Sequence, residues 1–214
     1  HIEEISSSRN EPEWLKDYRK NSLSVYDSLP IETSPLYNKY TDAQKMDPEK
    51  VSLSITTTET VPAFLQKRLG ELENEICIIQ IGTNIYRINL PEEFKSKGLV
   101  ISSISDGIQN NSELVKKALE ASNSEDDKFT ALNNAAFNSG IFIHIPRNFI
   151  LDKPIHFLTC LSEDGHSTIS RNVIFADESS KATIIQELYS PNIQTQQAYL
   201  ELMNTSVAAN AQLD

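Results

Sequence analysis

The chain has 214 residues, of which 39% are hydrophobic and 23% are charged, so it carries enough apolar side chains for the core of one or two domains. Its 30 acidic residues exceed its 19 basic residues and give a formal net charge of −11, which disfavours binding to nucleic acid or to an acidic membrane surface. The longest apolar runs, Ile76–Ile79 and Ile141–Ile143, are far shorter than the roughly 20 residues of a membrane-spanning helix, so we expect no membrane insertion.

The cysteine content and the start of the chain indicate a cellular compartment. The first ten residues are polar and show no signal-peptide pattern. Cys77 and Cys160 are the two cysteines of the chain, too few for a disulfide framework. Together these features predict a reduced, cytoplasmic protein.

Helices are predicted for much of the first half. Asn10 is the predicted N-cap of the first helix, with Glu13 at the capping-box position and Pro30 ending the apolar repeat. The cap pair Thr41 and Gln44 predicts a second, short helix. A third helix is predicted to have an apolar face. It covers Val61–Glu73, and its apolar residues are Phe64, Leu65, Leu69 and Leu72.

A hairpin and two more helices are predicted next. The β-type runs Ile76–Ile81 and Ile85–Leu90 flank the turn residues Gly82–Asn84, which predicts a β-hairpin. The remaining segments are a strand over Leu99–Ile104 and helices over Ser112–Ala121 and Asp126–Phe137, separated by a polar loop at residues 122–127.

Short β-type runs dominate from Gly140 onward. Their even spacing without intervening helices is typical of a sandwich, a barrel or a β-solenoid, and no strict repeat selects among these. Because Asp214 directly follows a β-type run without a cap, we expect the chain to be a fragment. The predicted strands are Ile141–Ile145, Ile155–Leu161, Asn172–Ala176, Thr183–Leu188, Tyr199–Met203 and Val207–Leu213.

Four stretches, in order along the chain, carry a resemblance to a known family. They are similar to its N-terminal segment, its linker rich in proline and tyrosine, the entry into its core domain and the next turns of that core. The stretches are Glu11–Lys16, Ser34–Thr41, Asn138–Asn148 with Lys153–Ile155, and Arg171–Ser180. On these stretches the chain resembles the SufB/SufD family of iron–sulfur cluster assembly proteins.

The resemblance implies an α+β fold. It predicts a mostly helical, mixed N-terminal domain over residues 1–137, followed by the first rungs of a right-handed parallel β-helix, a solenoid, over residues 138–214. Because family members are about twice this long, the resemblance also implies a chain truncated at its C-terminus, with the rest of the β-helix and a helical domain beyond Asp214.

The resemblance further implies a scaffold function. Family members act in a complex of SufB, SufC and SufD, in which a cluster forms at the SufB–SufD interface. The expected partners of the full-length protein are a SufC-like ABC ATPase and a SufB-like paralogue, and pairing with a second copy stays open. An iron–sulfur cluster and flavin are cofactors of the family complex. In this chain we identify no catalytic, cofactor-binding or metal-binding residue.

Departures from the SufB-like pattern make the chain more similar to SufD. Tyr189 stands where the SufB-like pattern carries a cysteine, and a phenol cannot replace a thiolate as a persulfide acceptor or an iron ligand. Leu158 and Cys160 stand where that pattern carries an arginine and an asparagine.

Residues that could support chemistry are better explained by structural roles. Cys77 and Cys160 lie in apolar runs and are predicted to be buried, although Cys160 is near a position tied to sulfur handling in the family. His144, His156 and His166 lack the spacing of metal ligands, and the first two are predicted to point to the solvent face of a sheet.

Aromatic, acidic and glycine-containing motifs also have structural interpretations. Trp14 is predicted to belong to the core stripe of its helix. The acidic clusters Glu125–Asp127 and Asp177–Glu178 are predicted to be solvated turns. Gly82–Asn84 and Gly165–Ser167 are too short to hold phosphate, and no P-loop occurs, which excludes an ATPase.

Two functions remain. The first is a non-catalytic, SufD-like scaffold for iron–sulfur cluster assembly. The second is a polysaccharide-active enzyme on a β-helix, a lyase or a glycosidase. Such an enzyme would need a ladder of charged residues on one face and secretion, and the sequence shows neither.

Overall fold

A computed structural model describes residues 2–31, 53, 60–122, 127–161, 166–191 and 198–214. Among these residues the chain forms seven α-helices and ten β-strands, which confirms the α+β class. The helices are α1 (Ile2–Ser8), α2 (Glu13–Ser28), α3 (Gln66–Glu71), α4 (Glu92–Lys95), α5 (Ile104–Asn110), α6 (Ser112–Glu120) and α7 (Lys128–Ala136), with a 3-10 turn at Ala63–Leu65 directly before α3. The strands are β1 (Ile76–Ile81), β2 (Asn84–Asn89), β3 (Val100–Ser103), β4 (Ile141–Ile145), β5 (Ile155–Cys160), β6 (Thr168–Ala176), β7 (Lys181–Ala182), β8 (Ile184–Tyr189), β9 (Tyr199–Val207) and β10 (Gln212–Leu213).

Helix α2 begins after Pro12, and the predicted cap at Asn10 is wrong. Asn10 adopts a positive φ of 50° in the turn that joins α1 to α2, and no side chain caps α2. The end of α2 at Ser28 agrees with the predicted stop at Pro30, because the residue before a proline avoids helical geometry. The sequence does not predict α1, since only Ile5 and Ser6 in it are buried.

The predicted helix over Val61–Glu73 is shorter in the structure. It consists of the 3-10 turn and α3, and its buried residues are Leu65, Leu69 and Leu72. The prediction for Phe64 is wrong, because this side chain is 52% exposed. A 3-10 turn has three residues per turn, so it rotates Phe64 away from the face that a regular helix would give it.

Helices α6 and α7 confirm the last two predicted helices within two residues at each end. Asp127 caps α7, because its carboxylate accepts hydrogen bonds from the backbone N–H groups of Phe129 and Thr130. The sequence does not predict α4 and α5, which are short. Some predicted features lie outside the described residues: the cap pair Thr41 and Gln44, the stretch Ser34–Thr41, the loop residues 123–126 and Gly165.

Two four-stranded sheets form the centre of the fold. One has the strand order β2-β1-β5-β8, and the other has the order β3-β4-β6-β9. Within them, β1, β5 and β8 run parallel, as do β4, β6 and β9. The edge strands β2 and β3 instead pair antiparallel with β1 and β4. Strands β7 and β10 form a separate parallel pair.

The predicted β-helix is therefore wrong. The turn at Gly82, whose φ is 56°, reverses the chain, so β2 returns antiparallel along β1. This confirms the predicted hairpin and makes the sheet mixed. Strand β3 pairs antiparallel with β4, so the second sheet is mixed as well. Short β-type runs do not distinguish parallel from antiparallel pairing, which is why the sequence does not predict this arrangement.

Strand positions are predicted more accurately than strand lengths. Strand β4 has the predicted bounds, β5 ends one residue earlier than predicted, and β8 is shifted by one residue at both ends. Strands β6 and β9 are both longer than predicted, with nine residues each. The predicted run Val207–Leu213 yields only β10, because Asn210 takes a positive φ of 58° in a turn.

Three apolar cores hold these elements together. The first lies between the two sheets and includes Ile78 and Phe157 from one sheet with Ile143 and Ile174 from the other. The second packs helices α2, α5, α6 and α7 against the outer face of the β3-β4-β6-β9 sheet. The third lies beneath α3. The predicted domain boundary after residue 137 stays a prediction.

Candidate functional site

The residues that the sequence links to sulfur handling lie together on one face of the β2-β1-β5-β8 sheet. In the parallel register Cys160 lies opposite Tyr189, and Leu158 lies opposite Glu187. Cys77 is on the same face. Side chains alternate along β1, so Cys77 shares a face with Ile79 and Ile81, which pair with Leu158 and Cys160. We call this surface the cysteine face, defined by Cys77, His156, Leu158, Cys160, Glu187 and Tyr189.

Helix α3 covers the cysteine face. The leucines of its buried side, with the 3-10 turn before it, pack against both cysteines and Leu158. Arg68 of α3 donates two hydrogen bonds to the Glu187 carboxylate, at 2.9 Å from Nε and 2.6 Å from Nη2. Arg68 also bonds Glu71 at 2.9 Å, within α3. Helix α3 is therefore held on the sheet by apolar packing and by the bidentate ion pair between Arg68 and Glu187.

Both thiols of the cysteine face are buried and far apart. Cys77 and Cys160 are 0% exposed and form no disulfide, so their predicted burial is confirmed. Burial raises the pKa of the Cys77 thiol, and nearby Arg87 only partly opposes this. The register separates the two Cα atoms by about 13–14 Å, about twice the reach of a disulfide. A buried thiol with a raised pKa, such as that of Cys77, is a poor nucleophile and a poor metal ligand.

Polar groups at one end of the cysteine face form a connected set. His156 Nδ1 lies 3.7 Å from Glu187 Oε1, and Tyr189 donates a hydrogen bond of 2.9 Å to the same carboxylate. The hydrogen bond from Arg68 lowers the pKa of Glu187, and the bond to Glu187 raises the pKa of Tyr189. The prediction that His156 faces solvent is wrong, because its side chain is buried, with 9% of the residue exposed.

The other predicted candidates lie elsewhere. His144 Nε2 lies 2.8 Å from Asp177 Oδ2, and its side chain is partly exposed, as predicted. Glu178 forms an ion pair with Arg147, so both residues of the acidic pair Asp177–Glu178 contact basic side chains as well as solvent. His166 is half-buried just before β6. The structure therefore does not bring the three histidines together.

In the part of the chain that the structure describes, no three side chains of His, Cys, Asp or Glu converge as ligands for a metal ion. In the same residues, no helix has the length and apolar character needed to cross a membrane. Apolar packing and ion pairing are thus the interactions that the cysteine face supports.

A buried ion pair, which sequence reasoning misses, fixes α2. Arg19 is 0% exposed and donates to both oxygens of Glu11, at 2.8 and 2.7 Å. Its third nitrogen donates to the Ala135 carbonyl at 3.1 Å, and its guanidinium lies 3.9 Å from the centre of the Phe137 ring. Trp14 is in the second core, as predicted, and donates to Ser112 Oγ at 3.1 Å. These contacts dock α2 on α6 and α7.

A second buried arginine lies under the helices. Arg171 of β6 is 0% exposed and donates to Ser122 and to the side-chain oxygens of Asn133 and Asn134. No carboxylate among the described residues bonds to it. Burial lowers the pKa of Arg171 to about 10, with the Tyr18 phenol as the main opposing influence. The charge of Arg171 is therefore stabilised by neutral polar side chains, all of which are distant from it in the sequence.

The chain is thus a mixed α+β protein in which Arg19 and Arg171 form their hydrogen bonds in the interior. The sequence profile of the SufBD protein N-terminal region matches residues 7–157. The chain therefore belongs to the SufBD family, and the resemblance found in its sequence is confirmed.

Curated relatives agree with this assignment. An iron–sulfur cluster assembly SufBD family protein of Staphylococcus aureus strain MRSA252 is 26% identical over 226 residues, covering 98% of this chain and 48% of the relative. A protein of the same description from Staphylococcus saprophyticus is 24% identical over 226 residues, with the same coverage. The chain thus spans about half the length of the curated relatives it matches.

Proposed function

We propose that this chain is part of a non-catalytic scaffold subunit of an iron–sulfur cluster assembly complex. Two findings support the proposal. The chain belongs to the SufBD family over residues 7–157, and its relatives are named for iron–sulfur cluster assembly. The cysteine face is covered by α3, both of its thiols are fully buried and the pKa of Cys77 is raised, which suits residues that pack rather than react.

Within the family we propose a SufD-like role. The observation that carries it is Tyr189, which lies opposite Cys160 and bonds the Glu187 carboxylate. A SufB-like chain would carry a cysteine at this position, and a phenol with a raised pKa cannot accept a persulfide. Leu158, fully buried under α3, likewise replaces an arginine of the SufB-like pattern by an apolar side chain.

A scaffold role makes partners necessary. We propose that the full-length protein binds a SufB-like paralogue and a SufC-like ABC ATPase in the cytoplasm, with the ATPase supplying ATP hydrolysis. The cluster would then be cargo of the complex. A rigid interior suits this role, because the Glu11–Arg19 pair and the Arg171 contacts fix the helices on the sheet.

Reconstitution tests the proposal. The reading frame that contains this chain would be expressed at full length with its SufB-like and SufC-like partners, and cluster formation would be followed by visible absorbance. We expect cluster yield to fall at least about tenfold without this subunit. We also expect the Cys77→Ala and Cys160→Ala variants, each with the intact protein as control, to keep the yield. Full yield without the subunit would contradict the scaffold role. Loss of yield in either cysteine variant that still folds and assembles would contradict the non-catalytic role.

A further inference from the structure

One end of the space between the two sheets is lined by polar side chains. Along β6 the inward-facing residues Thr168, Ser170 and Asn172 precede the apolar ones. On the facing sheet Gln80 of β1 lies directly opposite Thr159 of β5. All five are at most 1% exposed. We call these five residues the polar layer.

Three polar atoms of the layer make no hydrogen bond to another described residue. They are Gln80 Oε1, Thr168 Oγ1 and Asn172 Nδ2. The Thr159 hydroxyl has the Tyr199 phenol as its partner. Leaving a buried donor or acceptor unpaired costs about 1–3 kcal/mol, so three in one layer would offset much of the stability of a domain. Natural interiors rarely contain such a group unless ordered water pairs with it.

The orientations of the two amides are fixed by other bonds. Gln80 Nε2 donates to the Gly82 carbonyl at 3.0 Å, which leaves its oxygen turned inward as an acceptor. Asn172 Oδ1 accepts from the Ile141 N–H and from Ser170 Oγ, both at 3.1 Å, which leaves its nitrogen as a donor. An amide flip would therefore break existing bonds. The layer presents both a donor and an acceptor.

Further polar side chains on β8 and β9 flank the polar layer. The half-buried phenol of Tyr199 interacts with the Thr159 and Ser170 side chains and donates a hydrogen bond to Glu201. Glu201 also accepts a bond of 2.7 Å from the exposed Gln186. These residues lie on the last strand of each sheet and connect the layer to polar groups at the surface.

We propose that the polar layer is a binding site for ordered water, enclosed between the two sheets. Water is the ligand that fits, because it can donate to Gln80 Oε1, accept from Asn172 Nδ2 and pair with the Thr168 hydroxyl. A metal cation fits poorly, since the Asn172 Nδ2 donor would point at it. This inference does not depend on the proposed function, because it rests only on the interior of the fold.

Oxygen-17 magnetic relaxation dispersion of the intact protein tests the proposal, because it counts water molecules held for longer than the tumbling time. We expect at least one such water in the unmodified protein and one fewer in the Gln80→Met/Thr159→Val variant. Thr183→Val is the matched control, since it makes the same change at a half-buried residue between β7 and β8, outside the layer. The control should leave the count unchanged.

A crystal structure of the unmodified protein is an independent test of the water site and needs no variant. Density for water within hydrogen-bond distance of Gln80 and Asn172 would support the site. A direct bond from Asn172 Nδ2 to Gln80 Oε1 with no density between the sheets would overturn it. So would an ion with contacts near 2.4 Å to the layer oxygens, which would identify a cation instead.

Discussion

Replacing Glu11 by glutamine tests how the N-terminal helices are held on the sheets. The substitution keeps the shape of the side chain and removes its charge. It leaves the guanidinium of Arg19, which is 0% exposed, without a counter-charge. The remaining partners would be the one amide oxygen of the glutamine, the Ala135 carbonyl and the face of the Phe137 ring.

The size of the effect follows from this burial. Removing one partner of a buried ion pair costs about 3–5 kcal/mol, because the other charge stays desolvated and unpaired. Glu13→Gln, two residues further on in the first turn of α2, is the matched control: its partner is Lys16, and its side chain is 75% exposed. An exposed pair of this kind contributes about 0–1 kcal/mol, so the control should change little.

Urea unfolding followed by tryptophan fluorescence measures the difference. Trp14 is the one tryptophan of the chain and lies on α2, so its emission reports the docking of that helix. With a slope of about 2 kcal/mol per molar urea, Glu11→Gln should lower the midpoint by roughly 1.5–2.5 M. The double variant Glu11→Leu/Arg19→Met should recover most of the loss, because apolar residues of similar size fill the site without a charge. If Glu11→Gln lowers the free energy of unfolding by less than about 1 kcal/mol, the buried Arg19 charge does not depend on Glu11 as proposed.

Three further outcomes are expected. Gly140→Ala should destabilise by about 3 kcal/mol or more in thermal unfolding, because its Cβ would lie 1.9 Å from a backbone oxygen of β6 at a φ of +135°. Gly70→Ala, in open space on α3, should instead stabilise by up to about 1 kcal/mol. Both cysteines should resist an aromatic disulfide reagent until the protein unfolds, and rapid labelling of the native protein would contradict their burial. Because hydrogen bonding from Arg68 lowers the pKa of Glu187, the stability from this pair is present at neutral pH and falls as pH drops through that lowered pKa. Arg68→Met should remove this part of the acid sensitivity in unfolding free energies measured from about pH 7 to about pH 3.

Local signals made several elements predictable from the sequence. Pro30 and the residues at Gly82 dictate backbone geometry on their own, so the end of α2 and the β1–β2 hairpin agree with prediction. The apolar run of β4 likewise has its predicted bounds. Strand direction was not predictable, because the residues of a strand do not encode whether its neighbour runs parallel.

The buried polar contacts could not be predicted, because they join residues far apart in the chain. Arg171 and Asn133 are 38 positions apart, and no local spacing marks them as partners. The face on which His156 lies also depends on the pairing of β5 with two neighbours. The burial of Cys77 and Cys160 was predictable, because each lies in a continuous apolar run.

The mass of the native complex tests the central claim most directly. The full-length protein would be purified from its own cells with a tag and measured intact by native mass spectrometry. We expect a complex that also contains an ABC-type ATPase and a SufB-like paralogue. A protein that is recovered alone, or as a pair of identical copies without an ATPase at physiological salt, would contradict the scaffold role.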